Sequence, residues 1–419
     1  MIEMEGQPSF TCDIDVFGSV GSIGADGVGE IGLAELVNRL RSDGIQSTAV
    51  KKVVSGYCNV GLLMDDSRSS IHFLHLEPKF GFLAESLKAA RLVDLKFHRK
   101  HLLGLTTDGR VVGGGSNQFG QLGIGTIPGP SMNNLAIVPK LVNVICIATG
   151  ESHSAACTAD GNIYTWGSSF YGQCSGSRAI HLTPSSVHGI PPMCSVVCGA
   201  YFTLAVSATG GDVYGWGDNT SSQLGLGQFA TCIRRPCRIP LPHSVVKLSC
   251  GYGHAAALGS DGMLVVWGLN SSGQIGIQGT SCGKTPSVLD VDPDLINKNH
   301  VVDVLCGPNF TALLDTSGRV FTFGSDTPKG RLGRPKGGGR LEPGRIQRID
   351  EKKVHRITEC SSALLCQTAT TISRVDISTV CASGGTLITI YGYAIANIKG
   401  FAWIKFCYKP YVRCCLLFL

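Results

Sequence analysis

Residues 144–176 read VICIATGESHSAACTADGNIYTWGSSFYGQCSG, and residues 246–276 answer with VKLSCGYGHAAALGSDGMLVVWGLNSSGQIG. The two stretches match in type almost throughout: an apolar run, a glycine, a short β-type run, an Asp-Gly turn, and a second run ending in Trp-Gly. Asp160-Gly161 and Asp261-Gly262 supply the positive φ that tight hairpin turns need, so each stretch reads as strand, turn, strand. Counted at the glycine that closes each Trp-Gly turn or its equivalent, copies stand at Gly115, Gly167, Gly217, Gly268 and Gly324, at intervals of 52, 50, 51 and 56 residues. Counted at the opening position they extend further, to Gly56, His98, Gly150, Gly199, Gly251, Gly307 and Glu359, which makes seven copies. A unit of this size cannot bury its own apolar face, and a fixed period near 50 residues with several short strands predicts the blades of an all-β propeller.

The residues also resemble a known family. Gly-x-x-His-(Ser/Ala)-Ala at Gly150–Ala155 and Gly251–Ala256, the string CGAYFT at 198–203, Asp-Gly-x-x-x-x-Trp-Gly at Asp160–Gly167 and Asp261–Gly268, and Gly-Gln-Leu-Gly or variants at Gly120–Gly123, Gln223–Gly225 and Gly273–Gly276 are similar to the repeats of the regulator of chromosome condensation (RCC1) family. The resemblance covers about residues 50–370 and implies a seven-bladed β-propeller of RCC1-type repeats. Expected repeats lie near 50–92, 93–143, 144–195, 196–245, 246–301, 302–353 and 354–373.

The seventh copy stops early, with neither an Asp-Gly turn nor a Trp-Gly after residue 366. Residues 13–24, DIDVFGSVGSIG, resemble the missing half, with Val16-Phe17-Gly18 in the place of Tyr164-Thr165-Trp166-Gly167. An N-terminal strand pair there closes the ring and removes its open edges; the alternative is that residues 1–45 are a loose extension. Copies one and two are the least regular, because the opening positions Gly56 and His98 stand only 42 residues apart. A tail, 374–419, follows the propeller (1–373), and residues 383–392 within it resemble the opening strand of an immunoglobulin-like IPT domain, which makes the tail a truncated start of one.

With 43% apolar residues, 55 glycines and 16% charged residues, 419 residues suffice for a large all-β core. Eighteen cysteines are scattered over strand positions, and Cys198, Cys250 and Cys306 each precede an opening glycine, which suits packing by a small apolar side chain. No paired Cys-x-x-Cys set is present, so no metal and no cofactor are expected, and the thiols read as reduced. The acidic N-terminal start gives no secretory or transit signal, so the expected compartment is cytoplasmic or nuclear; likeness of segments such as 172–176 and 205–217 to a mitochondrial branch of the family keeps that compartment as a second reading. No run of 18 uninterrupted apolar residues offers a membrane span, and the expected form is a monomer.

Charge is uneven. Ten basic residues against three acidic ones lie between Lys329 and Arg356, which exceeds the +6 of the whole chain. Arg331, Arg334, Lys336 and Arg340 in this connection are candidates for holding a phosphate-bearing or acidic partner. His101, His153 and His254 each fall three residues after an opening position, where other copies have Asn59, Phe202, Phe310 and Ser362. That tolerance points to packing at a strand start, although the three could also line a rim used by a partner.

No P-loop, no His-Glu-x-x-His and no nucleophile elbow was recognised, so a covalent catalytic site is not expected. Gly113-Gly114-Gly115 reads as a turn, not a phosphate cradle. The family resemblance implies a protein-interaction propeller acting as a guanine-nucleotide exchange-type regulator on a Ran-like small GTPase. Exchange needs only preferential binding of the nucleotide-free partner. The segment 277–300 is the candidate for an inserted partner loop. The alternative is a scaffold or adaptor associated with chromatin, a ubiquitin ligase or the mitochondrial ribosome.

Overall fold

The computed structural model of the chain describes residues 11–18, 50–56, 59–64, 70–76, 78–126, 132–227, 230–289, 301–326, 332–334, 341–346, 354–360, 363–370, 372–377, 388–392, 401–408 and 411–418. Seven antiparallel sheets make the ring, six of them running inner to outer in sequence order. Their inner strands are Val50–Gly56, Leu92–Phe97, Val144–Thr149, Met193–Cys198, Val245–Cys250, Val301–Cys306 and Val354–Cys360, each beside the next and the last beside the first. The ring is closed, and the sheets are the blades of an RCC1-type seven-bladed propeller.

In blades three to six two glycines are fixed by geometry. At the opening position, the side chain three residues on folds back over the glycine: His153 covers Gly150, Phe202 covers Gly199 and Phe310 covers Gly307, leaving no volume for a Cβ. At the Trp-Gly position the ladder to the outer strand breaks register, and Gly167, Gly217 and Gly268 take φ of +99°, +113° and +96°. Only glycine adopts that conformation without strain. The bend sends Trp166, Trp216 and Trp267 into the seam between blades, where each is fully buried. Burying an indole of about 200 Å² stabilises by about 5 kcal/mol of transfer free energy.

Blade one has three strands, Val50–Gly56, Asn59–Met64 and Ile71–His75, followed by two short helices, Pro78–Gly81 and Ala84–Ala89, where other blades have an outer strand. Blade two explains them. Its third strand, Val111–Gly115, carries Gly114 where other blades have tryptophan, and Leu83 from the helical segment packs against that glycine while Phe80 packs against Gly115. Leu83 and Phe80 are both fully buried. Gly113-Gly114-Gly115 is thus a strand and not the expected turn: without side chains it leaves the room that the helices fill.

Blade seven is built from both ends of the described chain. Strand Thr11–Gly18 pairs antiparallel with Ala363–Thr370, which pairs with Val354–Cys360. Gly18 lies opposite Ala363 as Gly167 lies opposite His153, so Val16-Phe17-Gly18 takes the register of Thr165-Trp166-Gly167, as expected. Residues 19–24, the rest of the expected strand pair, lie outside the described residues. One register in the sequence reading is corrected. The seventh opening position is Cys360, paired with Ala363, and not Glu359 with Ser362, because the hairpin partners match Gly56 with Asn59. Beyond the blades, Ile372–Ile377 pairs with Ile388–Gly392 and Phe401–Tyr408 with Tyr411–Phe418, so the expected boundary at 373 falls inside a strand.

Candidate functional site

In blades two to five the connection from the inner to the second strand and that from the third to the outer strand open on the same face. On that face a buried glutamine shapes the third-to-outer turn. The Gln121 and Gln173 side-chain oxygens accept from the backbone N–H of Phe119 (2.8 Å) and Tyr171 (3.0 Å), and Gln223 and Gln274 do the same for Ser221 (2.7 Å) and Ser272 (2.8 Å). The turn so formed turns the residues before the glutamine outward. On blades two to four those residues, together with one from an inner turn, are aromatic. Phe119 and Phe170 meet edge to face at 6.1 Å, and Tyr171 and Tyr201 meet at 5.2 Å. Phe170, Tyr171 and Tyr201 are 53%, 44% and 37% exposed, which makes a contiguous aromatic patch open to solvent. The Arg234 guanidinium donates to the Phe170 carbonyl (3.1 Å) and holds the turn from behind. Exposed rings of this kind provide large contact area at little entropic cost. The patch was not found in the sequence reading; the signal was Phe119, Phe170 and Tyr171 immediately before the glutamine motif.

The histidines do other work. His101, His153 and His254 are buried, and their Nε2 atoms meet Ser154 Oγ (3.0 Å), Thr203 Oγ1 (3.1 Å) and Thr311 Oγ1 (3.0 Å), each in the next blade. Those hydroxyls donate onward to the carbonyls of Gln121 (2.9 Å), Gln173 (2.9 Å) and Gln274 (2.7 Å). A hydroxyl has one proton, so it accepts from the histidine, and Nε2 carries the hydrogen. The indole N–H groups of Trp166 and Trp216 donate to the same Gln121 and Gln173 carbonyls, at 2.9 Å each. Where the next blade offers an apolar residue the histidine is replaced: Phe202 packs with Ala255, and Phe310 with Leu364. Burial holds the rings neutral, with the His153 pKa lowered to about 3 and that of His254 to about 4. As partner contacts these three residues are therefore corrected: their side chains join blades and face no solvent.

The basic segment is not one loop. Gly344–Arg345 forms the fourth strand of blade six, Leu332, Ile346 and Val354 are buried, and Arg356 sits on the inner strand of blade seven. Arg331, Lys336 and Arg340 lie outside the described residues. Arg334 is half-buried, its guanidinium lying against Gly344. Gly330-Arg331-Leu332-Gly333 is an unnoticed copy of the glutamine motif. The Leu332 N–H donates to Asp326 Oδ1 (3.0 Å) as that of Leu122 does to Asn117 Oδ1 (3.0 Å).

The expected inserted loop 277–300 is corrected in part, because Cys282–Val288 is the outer strand of blade five; residues 290–300 lie outside the described residues. One Gly-x-Ser-x-Gly string does occur, Gly279–Gly283, but it leads into that outer strand and no helix follows, so it is not a nucleophile elbow. Among the described residues no group of three His, Cys, Asp or Glu could hold a metal ion, and no helix is long and apolar enough to cross a membrane.

Comparison with known proteins agrees with this architecture. Models of the regulator of chromosome condensation (RCC1) repeat match residues 160–206, 210–258 and 261–314, and a second RCC1 repeat model matches 144–173, 193–223 and 245–274. The chain is 32% identical over 253 residues to the ultraviolet-B receptor UVR8 of Arabidopsis thaliana, covering 59% of this chain and 56% of the receptor. It is 30% identical over 272 residues to the human probable E3 ubiquitin-protein ligase HERC6, covering 62% of this chain and 26% of the ligase. The match thus spans little more than half of one relative and about a quarter of the other. Among solved structures, human WBSCR16 superposes with a TM-score of 0.66 at 18% identity, covering 85% of this chain and 98% of that one. Yeast Prp20p, whose structure was described with its binding to Gsp1p and histones, superposes with a TM-score of 0.66 at 16% identity, covering 88% and 92%. Residues 144–314 of this chain are thus RCC1 repeats, and the ring they help to build is a seven-bladed β-propeller.

Proposed function

We propose that this propeller is a regulator of a small GTPase of the exchange-factor type, and that it docks the partner on the aromatic patch of blades two to four. The observation that carries docking is the exposed trio Phe170, Tyr171 and Tyr201, with half-buried Phe119 packed against Phe170, on one face of an otherwise well-buried ring. The partner class rests on the RCC1 repeats and on the likeness to Prp20p. Exchange on such a surface is a binding preference: contacts favouring the nucleotide-free partner weaken its hold on nucleotide and need no nucleophile. We place the protein in the cytoplasm or nucleus, as a monomer. Arg331, Arg334, Lys336 and Arg340 would supply contacts to an acidic or phosphate-bearing partner surface.

A scaffold or adaptor role is the second reading, favoured by the finding that part of the candidate inserted loop is a blade strand. Affinity capture with the full chain from lysate stripped of nucleotide, with and without GDP and magnesium, separates the two. A GTPase released by GDP supports exchange-type recognition; partners indifferent to nucleotide support the scaffold. In the same experiment Tyr171→Ala with Tyr201→Ala should reduce capture at least tenfold while leaving the melting temperature within about 2 °C, since surface truncations change stability little. Undiminished capture removes the patch as the docking surface.

A further inference from the structure

The central channel has an unbalanced charge. The inner strands repeat in register, and the residue four before each hairpin opening faces the axis. In blades one, two, five, six and seven it is Lys52, Asp94, Lys247, Asp303 and Arg356, and Lys96 joins them from blade two. All six line one cavity of about 380 Å³. The two carboxylates are already taken. Asp94 is paired with Lys52 at 2.7 Å and lies 3.8 Å from Lys96, and Asp303 is paired with Lys247. Arg356 forms no hydrogen bond or ion pair among the described residues, although it is half-buried and lies close enough to repel both Lys52 and Lys247. Four cations therefore surround two anions, in a space partly shielded from water. The strain is visible at Lys247, whose ammonium is pushed down to about 8 by burial and then by Arg356 and Lys96.

A guanidinium with no counter-ion, flanked by two lysines, matches the geometry and charge of a phosphate group: the planar fork binds two oxygens and the ammonium groups act as point charges. We propose that the central channel binds a small free phosphate-bearing anion carrying at least two negative charges, held by Arg356, Lys247 and Lys52. Two negative charges neutralise the excess, and the cavity accepts an anion of pyrophosphate size with water to spare. This site is separate from the aromatic patch and does not rest on the proposed partner.

Calorimetric titration of the full chain with sodium pyrophosphate, and in parallel with inorganic phosphate, tests it. The expected result is saturable one-to-one binding of pyrophosphate that weakens as salt rises, with inorganic phosphate weaker. Arg356→Gln should weaken pyrophosphate at least tenfold, and Lys247→Gln should do so independently if the first variant folds poorly. Each variant's thermal melt reports folding, and pyrophosphate should raise the wild-type melting temperature more than that of either variant. A third variant, Lys88→Gln with Arg110→Gln, which removes two exposed cations that do not line the channel, should bind as wild type. No saturable heat, wild-type affinity in both channel variants, or loss confined to the third variant overturns the proposal.

Discussion

His153 and Thr203 hold each other across a blade boundary, and the same choice recurs around the ring: histidine faces a hydroxyl, phenylalanine an apolar residue. The pairing can be exchanged as a unit. His153→Phe alone removes the donor to Thr203 and should cost about 1–2 kcal/mol, whereas His153→Phe with Thr203→Ala recreates the Phe202–Ala255 arrangement and should recover a large part of that loss. Urea unfolding of the four members of the cycle measures it, and strict additivity contradicts the pairing. The same histidines set an acid limit. Folded, His153 and His254 titrate only near 3 and 4, while an unfolded histidine takes up its proton near 6.5. The unfolded state binds more protons between these values, so this contribution is complete above pH 6.5 and is lost as pH falls towards 4. A melting temperature that falls across this window in the wild type, and falls less in His153→Phe with Thr203→Ala, is the expected result. The sequence showed the position and its tolerance for His, Phe and Asn. It did not show the rule, because the deciding residue lies about 50 positions away in the next copy.

A blade is legible where its motif is whole. Blades three, four and five could be traced strand by strand because Trp-Gly and a turn glycine punctuate them. Blade two could not, since Gly114 removes the tryptophan and the replacement volume comes from Leu83, 31 residues earlier and at the cap of a helix that no repeat predicts. Leu83→Ala should therefore behave as a core truncation across a blade boundary, costing about 2–5 kcal/mol, and a cost below 1 kcal/mol in chemical unfolding would show that the helical segment is dispensable. The seventh opening position was misread by one residue for a related reason: without a glycine at Cys360, nothing in the local text marks where the hairpin turns. The aromatic patch escaped notice because its members come from three blades and only adjacency in space unites them.

At the scale of the molecule, the ring divides its tasks: apolar seams between blades, an aromatic field on one face, and a charged axis. All three depend on closure. Deleting residues 1–18 removes the strand Thr11–Gly18 and exposes the edge of Ala363–Thr370, which should lower the melting temperature and promote association at higher concentration, because an unpaired edge invites another strand. Light scattering and a thermal melt check this; an unchanged, monomeric protein refutes the latch. The same pairing has a consequence in time. Thr11 is made some 360 residues before its partner Thr370, which at about 5–20 residues per second is a delay of about 20–70 s. Throughout that interval the growing chain carries a strand with no place to go, so the ring stays an open arc until a segment made long before returns to close it.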